Sequence, residues 1–345
     1  MTIRDAEDSF RRGMSIAGLA DPDADGFSDA AVGAPSWPSS ATIEPGPGAV
    51  FWYGGAAAHT VPLAARLDSP TGVAGDGFGN AVLSAGDTDG NGHDDLLVSA
   101  SWQAGGFTGG GCVHLFRAGA GGFPATPFAS WCAPPGEGAI EGFGLGLGRG
   151  DLDGDGDSDV LVGSATTDTE PQGAVFAYRG GPAGPDGSPW RRFDPAWPGA
   201  TGSGFAIGSS PIAVCDVDGD GDEDLFVGAA GVDLDAPHRQ SGAVFWYRGD
   251  VGGPPAVPGV ALESPERGSG GRFGEVVVCG SDWNGDGFVD LAVGAPQEPV
   301  DPTTGLAGRA YLYYGSASGL SAPLVLEEPV PTSLEYRHFA SAIAG

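Results

Sequence analysis

The sequence predicts an all-β protein made of repeated four-stranded antiparallel sheets. The first observation is an aspartate-rich nonapeptide, DLDGDGDSD at residues 151–159, which recurs at a nearly fixed interval. Its five copies begin at Asp21, Asp87, Asp151, Asp216 and Asp282, separated by 66, 64, 65 and 66 residues. The second observation is that short runs of β-branched, aromatic and small residues flank every copy without a helical period. A fixed internal period of this kind indicates a repeat architecture.

Four apolar runs recur in each unit and predict its four strands. The first precedes the acidic loop and opens with an aromatic residue and a small one, as in 77–86, 142–150 and 272–281. The second follows the loop and ends in small residues, at 29–35, 95–101, 159–165, 224–230 and 290–296. The third lies at 48–53, 111–116, 173–178, 242–247 and 308–313. A weaker fourth run follows, as in 62–70 and 191–199.

Four antiparallel strands repeated radially form the blades of a β-propeller, which is the fold class predicted here. A sandwich of similar strands is the alternative, and five near-identical units argue against it. We expect one propeller domain or fragment over 1–345, with five complete blades at approximately 10–73, 74–138, 139–200, 201–268 and 269–335. The opening aromatic returns at Phe339, so residues 336–345 are expected to be the first strand of a sixth blade.

Composition and charge narrow the class of protein and partner. The 64 glycines and 29 prolines accompany 41% hydrophobic residues in regular short runs, so we interpret the glycines as turn residues. A net charge of −30 excludes nucleic acid and anionic membranes as partners. No apolar run approaches the roughly 18 to 20 residues of a membrane span, and the first ten residues do not resemble a signal peptide. All 15 cations are arginine, which with the Gly/Ala/Pro bias indicates a bacterial source.

The acidic loops have the composition of cation sites. In the pattern D-x-[DN]-x-[DN]-G-x-x-D, positions 1, 3, 5 and 9 carry side-chain oxygens, and a backbone carbonyl near position 7 can complete the shell. Hard oxygen donors in this number suit Ca²⁺, which takes six to eight ligands, better than Mg²⁺, which retains its waters. Glycine at position 6 permits the tight turn that gathers the oxygens.

Two other calcium motifs are excluded by spacing. An EF-hand needs a bidentate glutamate at position 12 and flanking helices. Position 12 is valine in all five loops, at Val32, Val98, Val162, Val227 and Val293, each within a predicted strand. Calcium rolls repeat every nine residues, whereas these loops recur about every 65.

The repeated units resemble the FG-GAP repeats of integrin alpha-chain N-terminal propellers and their bacterial relatives. The FG pair is present at Phe78-Gly79, Phe143-Gly144 and Phe273-Gly274, and GAP at 33–35 and 294–296. Arg11 and Ala206 replace the glycine after the aromatic, and Ser-Ala-Ser at 99–101, Gly-Ser-Ala at 163–165 and Gly-Ala-Ala at 228–230 replace GAP. These departures affect single FG or GAP motifs, but the interval of about 65 residues between units is unchanged.

The resemblance implies up to five bound Ca²⁺ ions, each in the hairpin that joins the first two strands of a blade. By matching position, the implied side-chain ligands are Asp21, Asp23, Asp25 and Asp29; Asp87, Asp89, Asn91 and Asp95; Asp151, Asp153, Asp155 and Asp159; Asp216, Asp218, Asp220 and Asp224; and Asp282, Asn284, Asp286 and Asp290. The implied carbonyl ligands are those of Phe27, His93, Asp157, Asp222 and Phe288. The first loop is the least regular because it contains Pro22 and Ala24.

Integrin-like propellers have seven blades, so the resemblance also implies that this chain is a fragment or an unclosed portion. A signal peptide that precedes the fragment would reconcile its predicted extracellular or cell-surface location with its first residues. Unpaired blade edges would then favour association.

The four cysteines permit two disulfides. Cys112 and Cys132 fall on the predicted third and fourth strands of one blade, which are antiparallel neighbours, so a disulfide is expected between them. Cys215 and Cys279 occupy nearly equivalent first-strand positions in adjacent blades, and we expect buried thiols there.

The loops between the second and third strands vary most and are expected on the face opposite the acidic hairpins. Variable loops on a rigid scaffold often carry binding residues, and those favoured here are Trp37, Trp102, Phe107, His238 and Arg239. The predicted function is a calcium-stabilised extracellular interaction or adhesion module for a protein or glycan partner. No catalytic grouping is legible, so an enzyme is not expected. The alternatives are the non-catalytic propeller of a secreted, phospholipase-like hydrolase and a spacer within a surface protein.

Overall fold

A computed structural model describes most of the chain. The described residues are 15–36, 46–56, 62–101, 110–134, 142–165, 173–181, 183–195, 197–202, 212–234, 241–266, 270–301, 305–306, 308–327 and 340. Regular structure within these ranges is entirely β. The aromatics Phe10, Phe205 and Phe339 lie outside them, as does the predicted first strand of a sixth blade apart from Ala340.

Five four-stranded sheets account for most of the strands, and in each the strands are antiparallel and follow one another in chain order, with one short strand interposed in the fourth and two in the fifth. The first contains β1 (Ser15–Leu19), β2 (Asp29–Ala34), β3 (Ala49–Tyr53) and β4 (Leu63–Asp68). The second contains β5 (Phe78–Gly86), β6 (Asp95–Ala100), β7 (Cys112–Phe116) and β8 (Ala129–Cys132). The third contains β9 (Leu147–Gly150), β10 (Asp159–Ser164), β11 (Ala174–Tyr178) and β12 (Arg191–Phe193).

The remaining strands form two more such sheets and two small ribbons. The ribbons pair β13 (Thr201–Gly202) with β16 (Val232–Asp233) and β21 (Pro299–Asp301) with β22 (Gly305–Leu306). The fourth sheet contains β14 (Ile212–Cys215), β15 (Asp224–Ala229), β17 (Ala243–Tyr247) and β18 (Val260–Glu263). The fifth contains β19 (Val276–Ser281), β20 (Asp290–Ala295), β23 (Arg309–Tyr313) and β24 (Leu324–Glu327). The predicted all-β fold of five four-stranded antiparallel blades is therefore confirmed, and the residue numbers that separate the blades remain predictions.

The chain divides into two compact units. The first comprises Met1–Leu145 with Gly181–Ser188 and contains the first two sheets; the second comprises Gly146–Gly180 with Pro189–Gly345 and contains the other three. In the first unit, Leu19, Trp52, Phe78, Leu96 and Phe116 belong to one buried apolar cluster. In both units the second and third strands of a sheet are buried almost throughout. Their sequences therefore read as continuous apolar runs rather than as an apolar-polar alternation.

The FG and GAP motifs pack against one another. A Cβ atom on Gly33, the GAP glycine of the first sheet, would clash with the carbonyl oxygen of Gly79, the FG glycine of the second. Gly79 has φ +89°, a conformation that L side chains rarely adopt. Gly228 and Gly274 repeat this contact in the second unit. The two glycines thus let one backbone lie directly against the next.

Both cysteine pairs form disulfides. Cys112 and Cys132 are paired opposite one another in β7 and β8, and the predicted bond between them is confirmed. The expectation of free thiols at Cys215 and Cys279 is wrong, because these residues are also joined, with their Cα atoms 6.3 Å apart. Equivalent positions on the first strands of neighbouring sheets lie close in space although they are 64 residues apart in the chain.

Candidate metal centres

Each acidic loop joins the first strand of a sheet to the second, where the resemblance places a cation site. The loop backbone is held by its own side chains. In the third loop, Asp151 accepts hydrogen bonds from the backbone N–H groups of Asp155 (3.0 Å) and Gly156 (2.8 Å). The equivalent bonds to Asp87 are 3.0 and 2.7 Å long, from Asn91 and Gly92. The first aspartate therefore shapes the turn around which the other oxygens collect.

The glycine at position 6 is required by this turn. Its φ is +89° at Gly26, +88° at Gly92 and +95° at Gly156, Gly221 and Gly287. Position 4 is also left-handed, and it is glycine in all loops except the first, where Ala24 adopts φ +58°. The first loop is irregular because Ala24, a non-glycine residue, adopts a conformation that glycine accommodates better.

Carboxylates from positions 1, 3 and 5 converge in three loops. One oxygen from each of three acidic side chains lies within 4.8 Å of the others. These groups are Asp21, Asp23 and Asp25; Asp151, Asp153 and Asp155; and Asp216, Asp218 and Asp220. In the second loop, where position 5 is Asn91, the group is Asp87, Asp89 and Asp95.

The fifth loop differs at position 3. Asn284 replaces the aspartate there, and its amide nitrogen donates a hydrogen bond of 2.8 Å to Asp286 Oδ2. The backbone N–H groups of Gly287, Gly285 and Asp286 hold the pKa of Asp282 below its ordinary value. The fifth loop therefore retains the same turn, but it has one carboxylate fewer than the first, third and fourth loops.

Two buried carboxylate oxygens without a hydrogen-bond partner indicate whether a cation fits the acidic loops. Oδ1 of Asp153 and Oδ1 of Asp218 are buried and accept no hydrogen bond, and both side chains are only 5% exposed. A buried carboxylate oxygen without a partner is costly, and a cation is a partner it would accept. The oxygen-only donor set is the kind that Ca²⁺ prefers. The residues present therefore fit a hard divalent cation.

The aspartate at position 9 has a second task that the sequence alone did not indicate. Asp159 Oδ1 accepts the N–H of Gly180 (2.8 Å), two residues beyond β11, and its Oδ2 accepts the N–H of Leu152 (3.2 Å) within the loop. Asp224 makes the same pair of bonds to Gly249 (2.7 Å) and Val217 (3.4 Å). We call this residue the staple aspartate, because it ties the acidic loop to the end of the third strand.

The staple is present in all five blades. The bond from the second residue after the third strand recurs from Gly55 to Asp29, Ala118 to Asp95 and Gly315 to Asp290, at 2.6, 2.8 and 2.9 Å. In the first loop Pro22 has no N–H to donate, and the indole Nε1–H of Trp52 donates to Asp29 Oδ2 instead (2.9 Å). A carboxylate has about four lone-pair positions, so these bonds leave room for a cation.

Burial makes the staple carboxylates hard to ionise without a cation. Loss of hydration raises the pKa of Asp159 to about 7, with Asp153 and Asp155 adding repulsion. Loss of hydration likewise raises the pKa of Asp224 to about 6. The loss of hydration and the repulsion between carboxylates both oppose the accumulation of negative charge in the loop. A bound cation would counter both.

The position 7 residues contribute their backbone N–H groups to the turn. Those of Phe27, His93, Asp157, Asp222 and Phe288 each donate to the side-chain oxygen of position 5, at 2.8 to 3.0 Å. Their carbonyl groups as ligands remain predictions. The predicted partner-binding residues Trp37, Trp102, Phe107, His238 and Arg239 lie outside the described residues.

Comparisons with known proteins agree with this geometry. The FG-GAP-like repeat family matches residues 151–227, from the third acidic loop into β15, and the FG-GAP repeat family matches residues 273–313, from the FG pair to the end of β23. The chain contains FG-GAP repeats in these two regions. The family resemblance expected from Phe273-Gly274 and from the acidic loops is thereby confirmed.

The FG-GAP chain is also similar to parts of larger curated proteins. It is 38% identical to integrin alpha-3 of Mus musculus over 112 residues, which is 32% of this chain and 10% of that protein. It is 34% identical to integrin alpha-10 of Homo sapiens over 139 residues, 39% of this chain and 11% of the relative. It is 37% identical to phosphatidylinositol-glycan-specific phospholipase D of Mus musculus over 106 residues, which is 30% of this chain and 12% of that protein. The matched region thus spans about a tenth of each relative.

No helix capable of crossing a bilayer occurs in the part of the FG-GAP chain that the structure describes.

Proposed function

We propose that this FG-GAP chain is a calcium-stabilised, extracellular or cell-surface interaction module of the adhesion type. The observation that carries the proposal is the convergence of carboxylates at the same strand connection in successive blades, with buried oxygens of Asp153 and Asp218 left without a partner. Two disulfides support an oxidising, extracellular compartment. The similarity to integrin alpha chains supports a protein partner, and a glycan is the second class we propose.

The cation's role in this proposal is structural. Two carboxylates about 4 Å apart repel by roughly 4 kcal/mol near a protein surface. A bound divalent cation supplies the positive charge that offsets this repulsion. The first aspartate of each loop fixes the turn, and the staple aspartate connects the loop to the third strand. Ordering of the loop therefore stabilises the blade that contains it.

The partner surface is proposed on the opposite end of the sheets. β2, β6, β10, β15 and β20 each begin at an acidic loop and end at a variable loop. Neighbouring connections in an antiparallel sheet lie at opposite ends, so we propose that the partner binds at the end away from the cation sites. Trp37, Trp102, Phe107, His238 and Arg239 belong to these loops and remain the proposed contact residues.

Calcium titration of matched variants tests the proposal. Asp153→Asn removes a predicted ligand, whereas Asp157→Asn removes the same charge from a side chain outside the predicted ligand set of the same loop. We expect calorimetry to show the loss or clear weakening of one calcium site in the first variant only. Chelation should lower the Tm of the wild-type chain, because an ion held at a hundredfold excess over its Kd adds about 2.7 kcal/mol per site. An unchanged Tm after chelation would contradict the structural role.

The similarity to phospholipase D favours the propeller portion of a secreted hydrolase as a second candidate. A phosphoester assay of the purified chain tests whether this segment is itself catalytic. Turnover that is abolished by Asp151→Ala while the fold is retained would favour an enzyme. Calcium-dependent stability without turnover is the outcome expected for an interaction module.

A further inference from the structure

Three arginines occupy one repeated position next to the acidic loops. Arg117, Arg179 and Arg248 each directly follow the third strand of their sheet, after Phe116, Tyr178 and Tyr247. They belong to no recognised motif, because a single arginine after a strand is common. Their common position becomes visible only when the third strands are aligned.

Each arginine contacts the aspartate at loop position 3. Arg179 Nε lies 2.9 Å from Asp153 Oδ2, and Arg248 Nη2 lies 3.3 Å from Asp218 Oδ2. In the second loop the pair is looser, with Arg117 Nε 3.7 Å from Asp89 Oδ2. In the third and fourth loops the guanidinium thus takes one oxygen of a nearly buried carboxylate, and the other oxygen, Oδ1, accepts no hydrogen bond.

An aromatic ring supports each guanidinium. The Cζ atom of Arg117 lies 3.7 Å from the ring centroid of Phe128, that of Arg179 4.8 Å from Trp190, and that of Arg248 4.9 Å from Trp246. Cation–π contacts of this kind restrict where a charged side chain can rest. The ion pairs are therefore a repeated arrangement of three groups rather than isolated surface contacts.

The arginine is distributed according to loop charge in three of the five blades. The third and fourth loops have four aspartates at positions 1, 3, 5 and 9, so one arginine changes their formal charge from −4 to −3. The fifth loop has three aspartates and Asn284, which is already −3, and Tyr314 stands where the arginine would be. The second loop, with Asn91, reaches −2 with Arg117. The first and second loops are the exceptions: the first carries −4 with Gly54 at the arginine position, and the second carries −3 but has Arg117.

We infer that Arg117, Arg179 and Arg248 are internal counter-ions that partly replace a cation in their loops and compete with it. This inference rests on the proposed calcium binding and adds that the chain contains two classes of site. Loops with the arginine are stabilised in the cation-free state and bind calcium more weakly. The first and fifth loops, without it, depend more strongly on calcium.

The arginine could repel the cation or orient a ligand, and these two roles predict opposite effects of its removal on calcium affinity. A positive charge close to a bound divalent cation repels it, so its removal strengthens calcium binding. If the arginine instead served mainly to orient the position 3 carboxylate, its removal would weaken calcium binding. The side chain of Arg179 is 46% exposed, so solvent reduces the electrostatic effect without abolishing it.

The first test removes the charge. Arg179→Met keeps an unbranched side chain against Trp190, and Arg179→Lys keeps the charge. We expect Arg179→Met to lower the Tm in chelator and to bind calcium at one site more tightly, by up to about tenfold. Arg179→Lys should resemble the wild type in both measurements. Titration calorimetry and thermal unfolding with and without calcium provide the readouts.

The second test adds the charge where it is missing. A Cβ atom at Gly54 would meet Ala64 Cβ at 3.8 Å and Asp29 Oδ1 at 3.9 Å, which are ordinary contact distances, so a Cβ is accommodated there. Gly54→Arg should raise the Tm in chelator relative to Gly54→Ala and weaken one calcium site. This variant keeps the inference testable if Arg179→Met does not fold.

The two proposals fail in different ways. A wild-type chain that binds no calcium would contradict the proposed function. Calcium binding by the wild type, with equal or weaker binding by Arg179→Met, would overturn the counter-ion inference alone. Equal calcium affinity of Gly54→Arg and Gly54→Ala would do the same.

Discussion

At the scale of single residues, the staple aspartate is the most connected member of each acidic loop. The sequence predicted Asp159 only as a ligand, because position 9 of the motif carries an oxygen. Its two backbone partners, Leu152 and Gly180, could not be foreseen, since one of them lies 21 residues away across two strands. A carboxylate that accepts two backbone N–H groups contributes to stability with or without a cation.

Replacement of this residue should therefore destabilise the protein even in chelator. Asp159→Ala leaves the N–H groups of Leu152 and Gly180 without their acceptor, and we expect a loss of roughly 2 to 5 kcal/mol in the free energy of unfolding. Asp157→Ala removes one aspartate from the same loop and is the matched control, with little effect expected. Urea unfolding in EDTA measures both. Equal stability of the two variants would mean that Asp159 acts only as a ligand.

At the scale of strands and motifs, periodicity in the sequence was a reliable guide. The acidic loops and the aromatic, glycine-rich landmarks indicated four strands per blade, and the five sheets confirm this. The reason for the FG and GAP glycines was not readable from the sequence, because Gly33 and Gly79 meet only after two blades have formed. The Cys215–Cys279 bond escaped prediction for the same reason.

Glycine substitutions test this packing. Gly33→Ala places a Cβ against the carbonyl of Gly79, so the backbone must shift, and we expect a cost of about 1 to 3 kcal/mol or more. Gly18, in β1 of the same sheet, has open space around its Cα, and Gly18→Ala is the control with a small effect. Thermal unfolding of both variants in calcium gives the comparison. A harmless Gly33→Ala would show that the two backbones can separate without cost.

At the scale of the whole molecule, two kinds of cross-link act at different ranges. The Cys112–Cys132 bond closes 20 residues within one sheet, whereas Cys215–Cys279 closes 64 residues between two sheets of the second unit. The disulfide that closes the longer loop removes more chain entropy from the unfolded state. The proposed cation sites, by contrast, each act within one hairpin.

The longer disulfide should consequently stabilise the fold more. We expect the double variant Cys215→Ser/Cys279→Ser to lose about 1 kcal/mol more than Cys112→Ser/Cys132→Ser, from loop length alone. Denaturant unfolding of the two double variants in calcium is the measurement. If the shorter bond proved the more important, native-state packing around Cys112 would outweigh chain entropy.

The position of the staple partner has a consequence for how such a protein can grow. In the third blade the acidic loop, Asp159, Arg179 and Gly180 all fall within residues 151–180, so 30 consecutive residues encode the loop, its staple and its counter-ion. A duplication of that stretch copies the loop, the staple and the arginine together, although Trp190, whose ring supports Arg179, lies ten residues beyond it. Five nearly equivalent sites can accumulate by this route, and each copy is then free to exchange an aspartate for Asn284 or an arginine for Tyr314.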